Sequence, residues 1–185
     1  MKNIVIDAGH GGPDCGASND RLGLYEKNIT LAMAYEIPRW SLRGYQTTPT
    51  RLSDFFLSLE GRCKMANRAD GDLFISLHAN WFRDPEVRGI ETYYYNGSNA
   101  GFRLAELIMD NLVDTVDVLN GSVKVVDRGE KPAGFYVLKH TKMPAVLVEL
   151  GFISNDWQAR FMIDPDNQKA MAKAIWKGIE EYYAE

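Results

Sequence analysis

Three short, largely apolar runs in this chain are each followed closely by a histidine or a glutamate. The runs span residues 4–6, 73–77 and 145–148, and the residues that follow them are His10, His78 and Glu149. Apolar runs of this length are typical of strands that are buried on both faces of a parallel sheet. Segments with helical periodicity separate them. We therefore predict an α/β fold with three α/β/α layers, in which helices flank a mostly parallel, twisted sheet.

The segments between these runs allow further secondary-structure predictions. A helix should begin near Glu26 and kink or end early at Pro38, because proline removes a backbone donor. Pro49 also suggests that the strand at 45–51 lies at an edge of the sheet. The remaining predictions are a loop at 15–25, helices at 59–67 and 102–112, a strand at 89–95, a surface loop at 114–134, a short strand at 135–138 and a final helix from about residue 166.

Length and composition favour one soluble domain over residues 1–185, and we expect a monomer. The net charge is −4, and no run of Lys or Arg forms a basic patch, which argues against nucleic acid as a partner. No apolar segment approaches the roughly 20 residues of a membrane span. Cys15 and Cys63 lack metal-binding spacing, and we interpret both as free thiols whose roles the sequence leaves open.

The predicted strand ends indicate a metal site. Because the carboxyl ends of parallel strands meet at one sheet edge, His10, His78 and Glu149 should lie close together there. Two imidazoles with a carboxylate suit a hydrolytic zinc ion, and Glu26, at the start of its helix, is the natural third ligand beside the two histidines. Glu149 then remains as a base. Taken singly, Glu26 also fits an ordinary helix-start acid and His78 a packed, hydrogen-bonded histidine. His140 should face solvent.

Ordered motifs along nearly the whole chain resemble the zinc-dependent N-acetylmuramoyl-L-alanine amidases. They are Asp7-Ala-Gly-His-Gly-Gly, Asp14 with Gly16-Ala17, Glu26-Lys27, Thr50-Arg51, Arg62 with Ala66-Asn67, Ser76-Leu-His-Ala-Asn80, Gly89-Ile-Glu91, Asp127-Arg-Gly129 and Pro144-Ala-Val-Leu-Val-Glu-Leu-Gly-Phe152. The resemblance implies zinc on His10, Glu26 and His78, a catalytic Glu149, and cleavage of the amide bond between N-acetylmuramic acid and L-alanine in peptidoglycan.

Three other residues are candidates for substrate binding, namely Asn80, Glu91 and Arg128, whereas we expect Arg51 and Arg62 to form ion pairs that hold the fold. No long insertion follows residues 89–93, where cell-division members of this family carry a helix that plugs the site. This pattern is similar to an endolysin of a phage, or an autolysin of a Gram-positive bacterium, with an open site.

Two other functions remain open. They are a zinc peptidase or deacylase that acts on another amide, and a non-catalytic wall-binding module. The sequence shows no secretory leader, so a phage lysin would stay in the cytoplasm until release; otherwise a leader or targeting domain belongs to a longer protein. In either case we expect action on the cell wall, outside the cytoplasm.

Overall fold

The computed structural model describes residues 1–120 and 125–184 of the chain. Its strands are β1 Lys2–Ala8, β2 Ser18–Asn19, β3 Leu24–Tyr25, β4 Tyr45–Pro49, β5 Leu73–Asn80, β6 Ile90–Tyr95, β7 Asp127–Ala133 and β8 Ala145–Phe152. Its α-helices are α1 Glu26–Glu36, α2 Leu59–Arg68, α3 Asn99–Asn120, α4 Tyr136–His140, α5 Asp156–Ile163 and α6 Pro165–Ala184.

Six of these strands form one sheet in the order β4-β1-β5-β8-β6-β7. Neighbouring strands run parallel throughout, except that β6 is antiparallel to β8. Strand β4, which contains two threonines and one proline, lies at one edge of the sheet, as expected for a strand that contains Pro49. The prediction of a mostly parallel sheet is confirmed.

Helices cover both faces of this sheet. The side chains of Ile4 and Ile6 in β1 point into the larger core, which β1 shares with α1, α3 and α6. Val5, one residue away, points to the opposite face, where α2 and α4 enclose a smaller core. Because successive side chains of a strand alternate between faces, both faces of β1 must be apolar. The three-layer arrangement is thereby confirmed.

Strand register brings the predicted chemistry to one edge of the sheet. Ala8, the last residue of β1, pairs with Leu77 of β5, and the next residue of β5, His78, pairs with Glu149 of β8. His10 follows β1 by two residues. Three positions that are far apart in sequence therefore meet at the carboxyl ends of three adjacent strands.

Three secondary-structure predictions were wrong. Within 114–134, predicted as loop, α3 continues to Asn120 and β7 forms the second sheet edge, while residues 121–124 lie outside the described residues. The helix continues because Val116 extends the buried four-residue spacing of Leu104, Ile108 and Leu112. Residues 135–138 do not form a strand, because the segment folds as α4 and buries Val137 and Leu138. The predicted loop at 15–25 contains the β2–β3 ladder.

The first helix behaves as predicted. It begins at Glu26 and ends at Glu36, and a 3₁₀ turn over Ile37–Trp40 follows, with Pro38 in its first turn. Among the described residues, no helix is both long enough and apolar enough to cross a bilayer.

Candidate active site

His10 adopts an unusual backbone conformation at the end of β1. Its φ of 62° lies in the left-handed region, which a residue with a side chain seldom enters. Arg62 holds the backbone there: Nη2 donates to the carbonyl oxygen of His10 at 2.7 Å, and Nη1 forms a buried ion pair with Asp7 at 2.7 Å. The turn that aims the imidazole is thus fixed from beneath by a buried guanidinium.

Asp14 orients the ring of His10. Nδ1 of His10 lies 3.0 Å from both carboxylate oxygens of Asp14, so that Nδ1 carries the proton and donates it, and Nε2 turns toward Glu26. Burial lowers the pKa of His10, but hydrogen bonds and the negative charges of Glu26 and Asp14 outweigh burial and raise that pKa above its ordinary value. A carboxylate behind an imidazole is the usual support of a metal-binding histidine.

Glu26, the first residue of α1, is only 4% exposed. Its Oε1 lies 3.1 Å from Nε2 of His10 and 2.8 Å from Nδ1 of His78, and it also accepts from the backbone N–H of Ala79 at 3.0 Å. Oε2 accepts from the backbone N–H of Ala17 at 2.8 Å. Burial raises the pKa of Glu26, but the hydrogen bonds with both histidines outweigh burial and hold that pKa well below its usual range. Glu26 is therefore a buried, ionised carboxylate.

His10, Glu26 and His78 together can hold a metal ion. One ligand atom from each residue lies within 4.8 Å of the other two, and the imidazole rings meet nearly at right angles, with centroids 5.0 Å apart. Two neutral imidazoles and one carboxylate form a three-ligand set that suits a hydrolytic Zn²⁺ ion. The structure thus brings together all three residues that the sequence predicted as ligands.

Glu149 lies beside this cluster but is engaged differently. Its Oε2 is enclosed and has no hydrogen-bond partner among the residues that the structure describes. Burial, followed by the negative charges of Glu26 and Glu91, raises the pKa of Glu149 well above its ordinary value. A buried carboxylate oxygen without a partner is costly, and it is chemically suited to accept a proton from a molecule at the site.

A cavity of about 620 Å³ opens over these four residues. Its lining includes Ala17, Trp81 and four exposed apolar side chains, namely Phe56, Leu59, Phe135 and Tyr136. The volume lies within the range of small-ligand sites. A polymer that crosses the molecule could therefore present one bond to the histidine and glutamate side chains at the cavity floor.

The three predicted substrate-binding residues occupy different positions. Asn80 borders the cavity and donates to Oε1 of Glu91 at 2.6 Å. Glu91 is 2% exposed and also binds Tyr93, Arg128 and Lys131. Among the described residues, neither Glu91 nor Arg128 is part of the cavity wall. Arg128 instead pairs with Glu91 at 2.8 Å.

Arg62 and Arg51 support the turn that follows β1 in different ways. Arg62 forms the predicted ion pair, with Asp7, whose other carboxylate oxygen accepts from Ser76 at 2.7 Å. Arg51 has no ion pair within the described part of the chain; it donates to the carbonyl oxygens of Ala8 at 3.0 Å and of Gly9 at 2.9 Å. The prediction of an ion pair was wrong for Arg51, because the end of β1 offers it carbonyl groups.

Both cysteines are free thiols, as predicted. Cys63 is buried in the smaller core, and burial raises its pKa to about 11. Cys15 is half-buried and does not join the metal-binding cluster of described residues. His140 is exposed, as predicted, and stacks on Tyr136.

Comparison with known proteins places this geometry in context. A family model described as N-acetylmuramoyl-L-alanine amidase matches residues 4–181. An uncharacterized Bacillus subtilis protein, YqiI, is 39% identical over 98% of this chain and 85% of its own length. The N-acetylmuramoyl-L-alanine amidase LytC of the same organism is 38% identical over 98% of this chain, which spans only 36% of LytC. The catalytic domain of the amidase CwlV from Bacillus (Paenibacillus) polymyxa superposes with a TM-score of 0.91 at 34% identity, covering 100% of this chain and 99% of that domain.

Proposed function

This chain belongs to the N-acetylmuramoyl-L-alanine amidase family, and we propose that it hydrolyses the amide bond between N-acetylmuramic acid and L-alanine in peptidoglycan. The observation that carries the proposal is the pairing of a His10–Glu26–His78 cluster with the unpartnered Oε2 of Glu149. The cluster offers a metal-binding group, and Glu149 offers a base. Both lie on the floor of one open cavity, where an amide bond of a large polymer can reach them.

We assign the zinc ligands to His10, Glu26 and His78. The donor set fits zinc because Asp14 holds the proton on Nδ1 of His10, which leaves Nε2 free to bind. Glu26 is held in its ionised form, as a ligand must be. A zinc ion held by these residues would supply Lewis acidity, which would polarise an amide carbonyl and favour deprotonation of the attacking water.

We assign the transfer of protons to Glu149. Its free Oε2 accepts a proton from the water whose oxygen bonds to the carbonyl carbon. When the C–N bond breaks, Glu149 returns this proton to the alanine nitrogen, which leaves as an amine, and the lactyl group of muramic acid keeps a carboxyl group. Burial raises the pKa of Glu149, and this makes its carboxylate a stronger proton acceptor than an ordinary glutamate.

We also propose that the site works without an activating partner and as a monomer. Only residues 96–98 join β6 to α3, so no inserted helix covers the cavity between these two elements. The substrate implies action on the cell wall, outside the cytoplasm.

Digestion of purified cell walls, followed by mass spectrometry, tests these proposals. We expect peptides with a new N-terminal L-alanine and glycan strands with free lactyl carboxyl groups. Removal of the metal with a chelator should stop the release of these peptides, and added zinc should restore their release. New ends elsewhere in the peptide would favour a peptidase. Binding to walls with no new ends would favour a binding module.

A further inference from the structure

A second cavity of about 460 Å³ adjoins the first. Ala17 and Trp81 border both cavities, so the two form neighbouring parts of one depression. The second cavity is lined by residues 16–21 and by Trp81, Phe82, Arg83, Pro85 and Ser154. A substrate chain that leaves the candidate metal site past Trp81 would therefore reach this second cavity.

The backbone around the second cavity is held in place. The N–H of Phe82 donates to Oγ of Ser154 at 3.0 Å, and the side chain of Asn19 donates to the carbonyl oxygen of Ile153 at 2.9 Å. Asn19 also donates to Asp156 at 2.8 Å. These bonds tie both walls to the segment that follows β8, so that the cavity is built from positions fixed by the main fold.

One positive charge in this cavity, that of Arg83, has no partner in the described part of the chain. Arg21 forms an ion pair with Asp156 at 3.0 Å, and Asp20 accepts from the hydroxyl of Ser18 at 2.8 Å. Arg83 forms neither an ion pair nor a hydrogen bond through its guanidinium with any other residue in 1–120 or 125–184. Arginine matches a carboxylate through two parallel hydrogen bonds, and a free guanidinium at a cavity wall is suited to that role.

We propose that the second cavity receives the peptide part of the substrate, and that Arg83 binds the free α-carboxylate of the acidic residue that follows L-alanine. This inference rests on the proposed function. Phe56, Leu59, Phe135 and Tyr136 line the first cavity but not the second, and they offer no charge to a carboxylate. Arg83 thus selects stems in which this carboxyl group is free over stems in which it is amidated.

Two muropeptides that differ only in this group, carboxylate or amide, provide the test. We expect wild type to cleave the acid with a kcat/KM roughly threefold to tenfold higher than the amide, as suits a partly exposed ion pair with paired hydrogen bonds. Arg83→Gln should bring the ratio close to one, and 1 M salt should reduce it in wild type. Arg83→Lys should keep part of the preference.

Arg88→Gln is the matched control. Arg88 is exposed on the same loop but lies outside the second cavity, 5.9 Å from the centre of the Trp157 ring. Its removal should leave the acid-to-amide ratio unchanged. Equal cleavage of both muropeptides by wild type, or an unchanged ratio in Arg83→Gln, would overturn the inference.

Calorimetry with the Glu149→Gln variant separates this inference from the proposed function. Tighter binding of the acid than of the amide, without any cleavage by wild type, would contradict the amidase activity but support the carboxylate site. Cleavage of both muropeptides without any preference would support the amidase activity but contradict the carboxylate site. Absence of both binding and cleavage would overturn both.

Discussion

A methyl group added at Gly16 tests the metal-ligand assignment by geometry. Gly16 has a φ of +66°, and a Cβ there would lie 2.6 Å from Oε2 of Glu26 and 2.7 Å from Cδ2 of His10. Ordinary contact begins near 3.4 Å, so Glu26 must retreat by about 0.8 Å, which is 3.4 minus 2.6. Metal–ligand distances tolerate only about 0.2 Å. Neither side chain can yield freely, because Ala17 holds Glu26 and Asp14 holds His10.

Gly23 provides the control. It has the same φ of +66°, but a Cβ there would meet nothing within 4 Å. Both Gly16→Ala and Gly23→Ala should therefore lower the free energy of unfolding of the metal-free protein by about 1–2 kcal/mol from backbone strain. Gly16→Ala should in addition weaken zinc binding at least tenfold, or about 1.4 kcal/mol, because two ligands are displaced.

Competition with a chromophoric chelator measures zinc affinity, and denaturant unfolding of the same preparations measures stability. The reasoning depends on the difference between the two variants, since strain is common to both. Equal zinc affinity in Gly16→Ala and Gly23→Ala would show that Glu26 and His10 do not bind the metal together.

Three further variants test the roles of single side chains. Glu149→Gln should lower kcat by roughly 10²- to 10⁴-fold with unchanged zinc content, and a parallel loss of zinc would instead make Glu149 a ligand. In metal-free protein the same variant should be more stable than wild type at pH 7 but not at pH 4. Because burial raises the pKa of Glu149, its contribution to the free energy of unfolding is fully present below the unfolded pKa of about 4.3 and is lost as the pH rises toward the folded pKa. A difference in unfolding free energy between variant and wild type that stays constant with pH would contradict this assignment. Asp14→Ala should weaken zinc binding roughly 10- to 100-fold in chelator competition, and unchanged affinity would mean that His10 needs no support. Arg62→Met should lower the free energy of unfolding by about 3–5 kcal/mol, because Asp7 remains buried without its cation, whereas the exposed Lys64→Met should change it by less than about 1 kcal/mol; similar values for both would contradict the role of the buried pair.

The sequence predicts best where a segment is buried on both faces. β1, β5 and β8 each contain a short, largely apolar run, and their ends position His10, His78 and Glu149. The pattern cannot be confused with a loop. Glu26 could be placed because the helix that it opens has a buried face of regular spacing.

Prediction fails where burial is partial or the segment is short. β7, with the sequence Asp-Arg-Gly-Glu-Lys-Pro-Ala, is an edge strand that pairs with β6 alone among the described strands, so its composition resembles a loop. The brief apolar run in α4 fits helix and strand equally well. Helix α5 was missed, although Asn155 supplied a signal: its side chain caps the helix by accepting from Gln158.

The hydrogen-bond and ion-pair partners that support residues of the site also escaped prediction, for two different reasons. Asp14 follows His10 by four residues, a spacing that could have suggested a partner for Nδ1. Lys131 gave no such signal, because its contact with Glu91 depends on the pairing of β6 with β7. Contacts across strands are set by register, which a single sequence does not reveal.

The order of the strands also has a consequence for how the site assembles during folding. All three proposed ligands lie within the first 78 residues, just after β1, at the start of α1 and on β5, whereas Glu149 lies on β8. Because β1 pairs directly with β5 and α1 packs against both strands, a partly folded chain that has formed these three elements already carries the proposed metal-binding side chains. Pairing of β8 with β5 closes another long loop and adds the base. Metal capture can therefore precede catalytic competence along the folding pathway, and zinc added during refolding would stabilise an intermediate that holds the metal but does not yet hydrolyse its substrate.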